Sequence, residues 1–133
     1  MVSKIFNAEE SDLTQIRKFI QTFLIKNEIK EDVQYQIILA VGEAAMNIVQ
    51  HAYKGGDASK KIRVDLNLVN HILNLDFFDQ GVKADPSKIK PRKLEEIRPG
   101  GLGTHFIKMV MDDVKWGEST DKWVNHLILK KKI

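Results

Sequence analysis

The chain has 133 residues, of which 43% are hydrophobic and 29% charged, and its formal net charge is +3. This length fits one domain over residues 1–133 with its own hydrophobic core, and the composition is that of an ordinary soluble protein. The absence of cysteine excludes disulfides and suits the cytoplasm, and no apolar run approaches the ~20 residues of a membrane span or has the form of a signal peptide.

Two helices are predicted in the first part of the chain, because apolar residues recur there with the 3.6-residue period. The first helix follows Ser11-Asp12, which can cap it, and its apolar face continues to Leu24. The second begins near Glu31 and continues without interruption to the glycines at Gly55. A weak strand at residues 2–6 is expected to pair onto the edge of a sheet.

The period changes to two after the second helix. Apolar and polar residues alternate from Ile62 to Leu68, which predicts a half-buried strand. Asn70-His71 predicts a tight turn into a second strand that reaches Phe77, so that the two strands form an antiparallel hairpin.

An irregular stretch from Asp79 to Gly101 comes next, and a loop of this length inside a compact domain is usually functional or disordered. A third helix is predicted from Gly103 to about Asp113. Two short strands, over residues 114–116 and 123–130, end the chain.

The order of these elements indicates the fold class. Helices and strands are grouped rather than strictly alternating, which predicts an α+β protein. We expect a two-layer sandwich in which about three helices cover one face of a mostly antiparallel sheet.

Three polar residues recur every four positions in the second helix. Glu43, Asn47 and His51 would form a slanting stripe along a continuous α-helix. An amide oxygen can hold Mg²⁺ against nucleotide phosphates, and a carboxylate one turn away can deprotonate an attacking hydroxyl. The alternative is that the three side chains simply border solvent.

Two further motifs follow in the chain. Asp79-Gln80-Gly81 ends a strand, where a buried carboxylate can bind an exocyclic amine and a glycine lets a ring approach the backbone. Residues 99–103 (PGGLG) precede the third helix, and amides in such a position suit phosphate. The alternatives are a strand-ending turn and a flexible linker.

In this order, the motifs resemble those of the GHKL (histidine-kinase-like, Bergerat-fold) ATPase superfamily. The match is similar to the small anti-sigma-factor serine/threonine kinases of bacterial partner-switching systems. The resemblance covers nearly the whole chain, and three segments carry it: AVGEAAMNIVQHAYKG (40–55), DFFDQGVKADP (76–86) and PGGLGTHFIKMVMDDV (99–114).

The resemblance implies a role for each motif residue. Asn47 would bind Mg²⁺ and Glu43 would be the base for the serine hydroxyl of a protein substrate. His51 and the adjoining Ala52-Tyr53 would lie near the ribose and phosphates of ATP. Residues 85–100 would be the ATP lid. The remaining ATP-binding residues implied in this way are Asp79, Gly81, Gly101, Leu102, Gly103 and Thr104.

The resemblance also implies partners. The substrate would be a STAS-type anti-sigma-factor antagonist, and the protein held in alternation with it would be a sigma factor or similar regulator. Arg17 occupies the offset from Glu43 at which such kinases carry a partner-contacting arginine. A homodimer is possible by the same analogy.

The chain departs from the family pattern at two places. Lys83 stands where the family often has glycine or proline, and Asn125 lies where many members have threonine or a Gly-Asn pair. These departures leave open a non-catalytic partner-binding module that retains the fold.

Basic residues raise a further alternative, a nucleic-acid-binding domain. They concentrate in residues 83–93 and 130–132, which contain no aromatic residue, whereas single-strand binders interleave the two types. We therefore expect no direct nucleic-acid contact; a phosphate-contacting role of the loop lysines is the alternative to a solvated loop.

Overall fold

The structure is a computed structural model that describes residues 1–54, 56–82 and 101–133. In these ranges three α-helices accompany one antiparallel sheet of five strands, as the α+β prediction requires. The helices are α1 (Leu13–Lys26), α2 (Glu31–Asn47) and α3 (Gly101–Val110). The strands are β1 (Val2–Ala8), β2 (Asp57–Val69), β3 (Ile72–Asp79), β4 (Asp113–Trp116) and β5 (Asn125–Lys132). The strand order is β1-β2-β3-β5-β4.

The hydrophobic core lies between the helices and one face of this sheet. Apolar residues alternate along the middle of the three central strands, and their side chains are buried in the core that the helices cover. Strand members of the core include Val64, Leu66, Leu75, Phe77 and Leu129. None of the helices in the described ranges has the length and apolar content needed to cross a bilayer.

The predicted hairpin between β2 and β3 is confirmed. Val69 and Ile72 are paired, so only Asn70 and His71 form the turn, and both have positive φ angles (52° and 63°). A two-residue turn with both φ angles positive follows the right-handed twist of the flanking strands.

The N-terminal strand is confirmed as an edge strand, but the predicted cap of α1 is wrong. β1 pairs antiparallel with β2, with an irregularity between Asn7 and Ala8. No side chain caps α1; the Asp12 carboxylate instead accepts the N–H of Asn7 at 2.9 Å. The acid therefore ties the end of β1 to the start of the helix.

The second helix is not one continuous α-helix. α2 ends at Asn47, and residues Ile48–Ala52 form a π-helical segment in which the N–H of Tyr53 reaches the carbonyl of Ile48 (3.3 Å). The wider turn is compensated by tertiary bonds, because the Ala52 carbonyl accepts the N–H of Val82 (3.0 Å). The spacing of apolar residues carries no information about such tertiary bonds. The prediction of an α-helix that continues to Gly55 was therefore wrong beyond Asn47.

The last elements are shifted by two or three residues from their predicted bounds. α3 begins at Gly101 instead of Gly103 and ends at Val110 instead of near Asp113, where β4 already begins. Packing of α3 on α2 outweighs the low helix propensity of two glycines. Trp123 precedes β5, since its N–H bonds to the Thr120 side chain in a turn.

Candidate functional site

Asn47 and Glu43 lie one turn apart on α2, and both are half-buried. The Oδ1 atom of Asn47 is buried and has no hydrogen-bond partner among the described residues. Leaving such an acceptor unsatisfied costs roughly 1–3 kcal/mol. A hard cation with oxygen ligands, such as Mg²⁺, fits this oxygen because it would supply the missing partner.

The surroundings of Glu43 leave its carboxylate available. It accepts no hydrogen bond from the described residues. The Arg17 side chain packs against Gly42, the residue that precedes Glu43 in the chain. A Cβ atom added to Gly42 would lie 3.5 Å from the Cδ and Nη1 atoms of Arg17. In the part of the chain that the structure describes, the Arg17 guanidinium has no ion-pair partner.

Asp79 ends β3 as a buried carboxylate, with 2% of the residue exposed. Its Oδ1 atom accepts the N–H of Gly81 (3.0 Å) and the side-chain amide of Asn125 (2.8 Å). Its Oδ2 atom accepts no hydrogen bond from the described residues. This oxygen is therefore the one left for a donor on a ligand, such as an exocyclic amine.

Burial raises the pKa of the Asp79 carboxyl above its ordinary value. The hydrogen bonds from the Asn125 side chain and the Gly81 amide lower it and so oppose that shift. Asn125 faces Asp79 across the β3–β5 ladder and also donates to the Val82 carbonyl (2.8 Å). The departure from the family pattern thus provides a direct polar contact to Asp79.

Gly81 has a packing role that sequence reasoning missed. A Cβ at this position would stand 2.5 Å from the Ala52 carbonyl oxygen and 2.6 Å from the Ala52 Cβ. Only glycine allows the backbone after β3 to lie this close to the π-helical segment. The contact brings the end of β3 to the end of the helix that carries Asn47.

We expect Gly81→Ala to destabilise the protein, because its methyl group would overlap backbone atoms of Ala52. The free energy of unfolding should fall by about 1–3 kcal/mol, measured by urea denaturation. Gly42→Ala is the matched control, since its Cβ would meet only the Arg17 side chain at 3.5 Å. Equal stability of the two variants would contradict the close contact.

Tyr53 is a second residue whose place the sequence did not reveal. It is 7% exposed, and its hydroxyl donates to the Lys61 carbonyl (2.8 Å) and accepts the N–H of Gln80. Burial raises the pKa of Tyr53 to about 12. A tyrosine two residues before a pair of glycines was the local indication in the sequence of a residue that closes the helix end against the sheet.

The remaining predicted residues are described only in part. The backbone of His51 lies in the π-helical segment, where each residue turns less about the axis than in an α-helix, so the regular stripe is not continued to it. Gly101–Thr104 form the first turn of α3 rather than a loop before it. The side chains of His51 and residues 101–105, and all of Lys83 and the lid (85–100), lie outside the described residues.

The start of α3 is suited to an anion. The first-turn amides of a helix have no partner within the helix and carry its positive dipole end. α3 has ten residues and packs against α2. The phosphate-binding prediction for residues 101–104 therefore remains compatible with their helical state.

Comparisons with known proteins agree with this arrangement. Residues 6–131 match the family described as "Histidine kinase-like ATPase domain". The histidine kinase domain of a blue-light activated histidine kinase from Erythrobacter litoralis superposes with a TM-score of 0.58 over 90% of this chain and 60% of that chain, at 12% identity. This likeness supports the fold.

Curated relatives include the "Serine-protein kinase RsbW" of Oceanobacillus iheyensis, which is 33% identical over 85 residues, covering 58% of this chain and 53% of the relative. The protein of the same name from Bacillus cereus is 34% identical over 85 residues, covering 58% and 52%. The aligned part thus spans about half the length of the curated relatives it matches.

Proposed function

Because the chain belongs to the histidine kinase-like ATPase family, we propose that it binds ATP with Mg²⁺ and is a protein serine/threonine kinase. Its substrate would be a STAS-type anti-sigma-factor antagonist, and it would hold a sigma factor or similar regulator in alternation with that antagonist, in the cytoplasm. The observation that carries this proposal is the buried, unpartnered Asn47 Oδ1 one turn from the available carboxylate of Glu43. Similarity to proteins named serine-protein kinase supports the choice of acceptor.

The chemistry follows from the residues in the site. Asn47 Oδ1 would hold Mg²⁺, which when bound offsets the negative charge of the phosphates. The first-turn amides of α3 would bind phosphate oxygens, and Asp79 Oδ2 would accept a hydrogen bond from the adenine amine.

Glu43 would act on the protein substrate. Its carboxylate takes the proton of the serine hydroxyl as the serine oxygen bonds to the γ-phosphorus. The bond between that phosphorus and the bridging oxygen breaks, and ADP leaves. Positioning and charge stabilisation provide most of the rate enhancement in such transfers.

Arg17 is proposed as a partner contact. It lies against Gly42 on α2, next in the chain to Glu43, and the residue is half-exposed. A protein substrate must approach Glu43 to place its hydroxyl there, so it passes next to this charge. By analogy with the same family, we also propose that two copies of the chain can form a homodimer.

Calorimetric titration tests nucleotide binding directly. ATP and ADP are titrated with and without Mg²⁺ into the wild-type protein. We expect binding in all four titrations, tighter with Mg²⁺. Absence of binding at millimolar nucleotide would overturn the proposed function.

Asp79→Asn should separate binding from stability. The neutral amide accepts a weaker hydrogen bond from the adenine amine than a carboxylate does. The Kd for ADP should therefore rise roughly 10- to 150-fold, which corresponds to the free energy of one hydrogen bond to a charged group. The variant should be no less stable at pH 7, because a buried charge is removed. The pKa of Asp79 is raised in the folded chain, so wild-type stability falls as pH rises through it, and the variant should lack that dependence.

The control for this variant is Asp76→Asn, on the opposite face of β3. Asp76 is half-exposed and contacts His126 (3.2 Å). Its replacement should leave the Kd for ADP unchanged. Equal loss of affinity in both variants would mean that Asp79 does not contact the base.

A further inference from the structure

We propose that the Tyr53 hydroxyl is a positioning group for nucleotide binding, because it fixes the segment Gln80–Val82 relative to the end of the helix that carries Asn47. The inference rests on the proposed nucleotide site and adds to it a residue that does not itself touch the ligand.

Three parts of the chain meet at this hydroxyl. The tyrosine follows the π-helical segment, the Lys61 carbonyl that accepts its proton belongs to β2, and the Gln80 amide that donates to it follows β3. The residue is 7% exposed, so water has little access to replace either bond. A buried amide or carbonyl that loses its partner lowers the free energy of unfolding. Arrangements that break either bond are therefore disfavoured, and the three parts of the chain are held in one geometry.

Two further bonds hold the same segment. The Val82 N–H reaches the Ala52 carbonyl (3.0 Å), and the Gln80 side-chain oxygen accepts the N–H of Lys61 (3.1 Å). Gly81 lies between them, against Ala52. The segment is thus tied to the helix end on one side and to β2 on the other.

The position of this segment determines where Asp79 lies within the proposed nucleotide site. Asp79, proposed for the adenine amine, directly precedes Gln80, while Asn47, proposed for Mg²⁺, lies directly before the π-helical segment. The adenine amine must meet the Asp79 carboxylate at hydrogen-bonding distance, so the position of Asp79 has to be fixed before the ligand binds. Displacement of Gln80 would shift Asp79 without altering either functional side chain.

The Tyr53 hydroxyl can donate one hydrogen bond and accept another throughout the physiological pH range. Burial raises the pKa of Tyr53 to about 12, so the group keeps its proton. A neutral phenol can donate to Lys61 and accept from Gln80 at once. The negative charges of Asp79 and Asp57 also act on the hydroxyl, and both favour its protonated form.

Tyr53→Phe removes this oxygen and keeps the ring. We expect the Kd for adenosine and the Kd for ADP each to rise about 10-fold by calorimetry, as for one lost net hydrogen bond. The ratio of the ADP Kd values without and with Mg²⁺ should stay at the wild-type value, since Asn47 is untouched. Hydrogen exchange at the Gln80 amide should become faster.

Tyr35→Phe is the matched control, because Tyr35 is 68% exposed and its hydroxyl has no partner in the described ranges. It should change neither Kd nor exchange. Gln80→Met loosens the same segment from β2 by removing the bond to Lys61, and should raise both Kd values by a smaller factor. It serves as the second variant if Tyr53→Phe is poorly folded.

The outcomes separate this inference from the function on which it rests. Wild-type affinity in Tyr53→Phe and Gln80→Met, with a lowered melting temperature, would show a merely structural role and overturn the inference alone. Failure of the wild-type protein to bind nucleotide would overturn both.

Discussion

Asn47→Ala is expected to abolish the Mg²⁺-dependent part of ATP binding. The substitution removes the one neutral side-chain oxygen of the Glu43–Asn47 turn, and that oxygen has no other partner in the described chain. In calorimetry, addition of Mg²⁺ should no longer tighten binding, and the Kd for Mg²⁺-ATP should rise at least about 100-fold, near the upper worth of a hydrogen bond to a charged group.

Stability distinguishes a lost ligand from a damaged fold in this experiment. Removal of an unsatisfied buried acceptor offsets the loss of packing, so the melting temperature should change by no more than about 4 °C. Asn67→Ala, on β2, is the control and should retain the Mg²⁺ effect. Tight Mg²⁺-dependent binding in Asn47→Ala would reject Asn47 as the ligand.

Glu43→Gln is expected to block phosphotransfer while nucleotide binding remains. The amide keeps the size of the side chain but cannot take the proton of the attacking hydroxyl, and a positioned base contributes roughly 10²- to 10⁴-fold to rate. Labelled ATP is incubated with Mg²⁺ and a candidate antagonist, and phosphoserine and phosphothreonine are measured. Initial rates should fall by about that factor, with an unchanged Kd for ATP.

Glu118→Gln, in the exposed turn before β5, is the control for this assay and should transfer at the wild-type rate. Normal turnover by Glu43→Gln would mean that the base is another residue or that none is needed. If the wild-type protein binds nucleotide but phosphorylates no cognate partner, the remaining reading is a non-catalytic binding module that retains the fold.

Local sequence was sufficient wherever one side of an element faces the core. Alternation from Ile62 onward predicts β2 because every second side chain must be buried, and Asn70-His71 predicts the turn because both residues tolerate positive φ. The end of the second helix was not predictable in this way. Ile48 and Ala52 keep the helical period, while the π-helical turn depends on bonds to residues after β3.

The candidate site shows the same division. Asp79 and Asn47 could be selected from motif and spacing, since their chemistry is carried by residue type. The contacts that hold this region in place could not be predicted from motif and spacing. Asn125 and Tyr53 meet the Asp79–Val82 segment only because of the way the strands pair and the helix ends. Gly81 could be selected as a candidate from its motif, but its contact with Ala52 is set by tertiary packing.

The π-helical segment also constrains how this region tolerates changes in length. One residue corresponds to about 100° of rotation on an α-helix. Deleting any residue between Asn47 and Tyr53 would therefore allow a regular helix but turn the tyrosine ring away from Lys61 and Gln80. Substitutions at the exposed Gln50 leave that count intact. Insertions and deletions here should be rarer among relatives than substitutions, because the number of residues, more than their identity, sets the angle at which the helix meets the sheet.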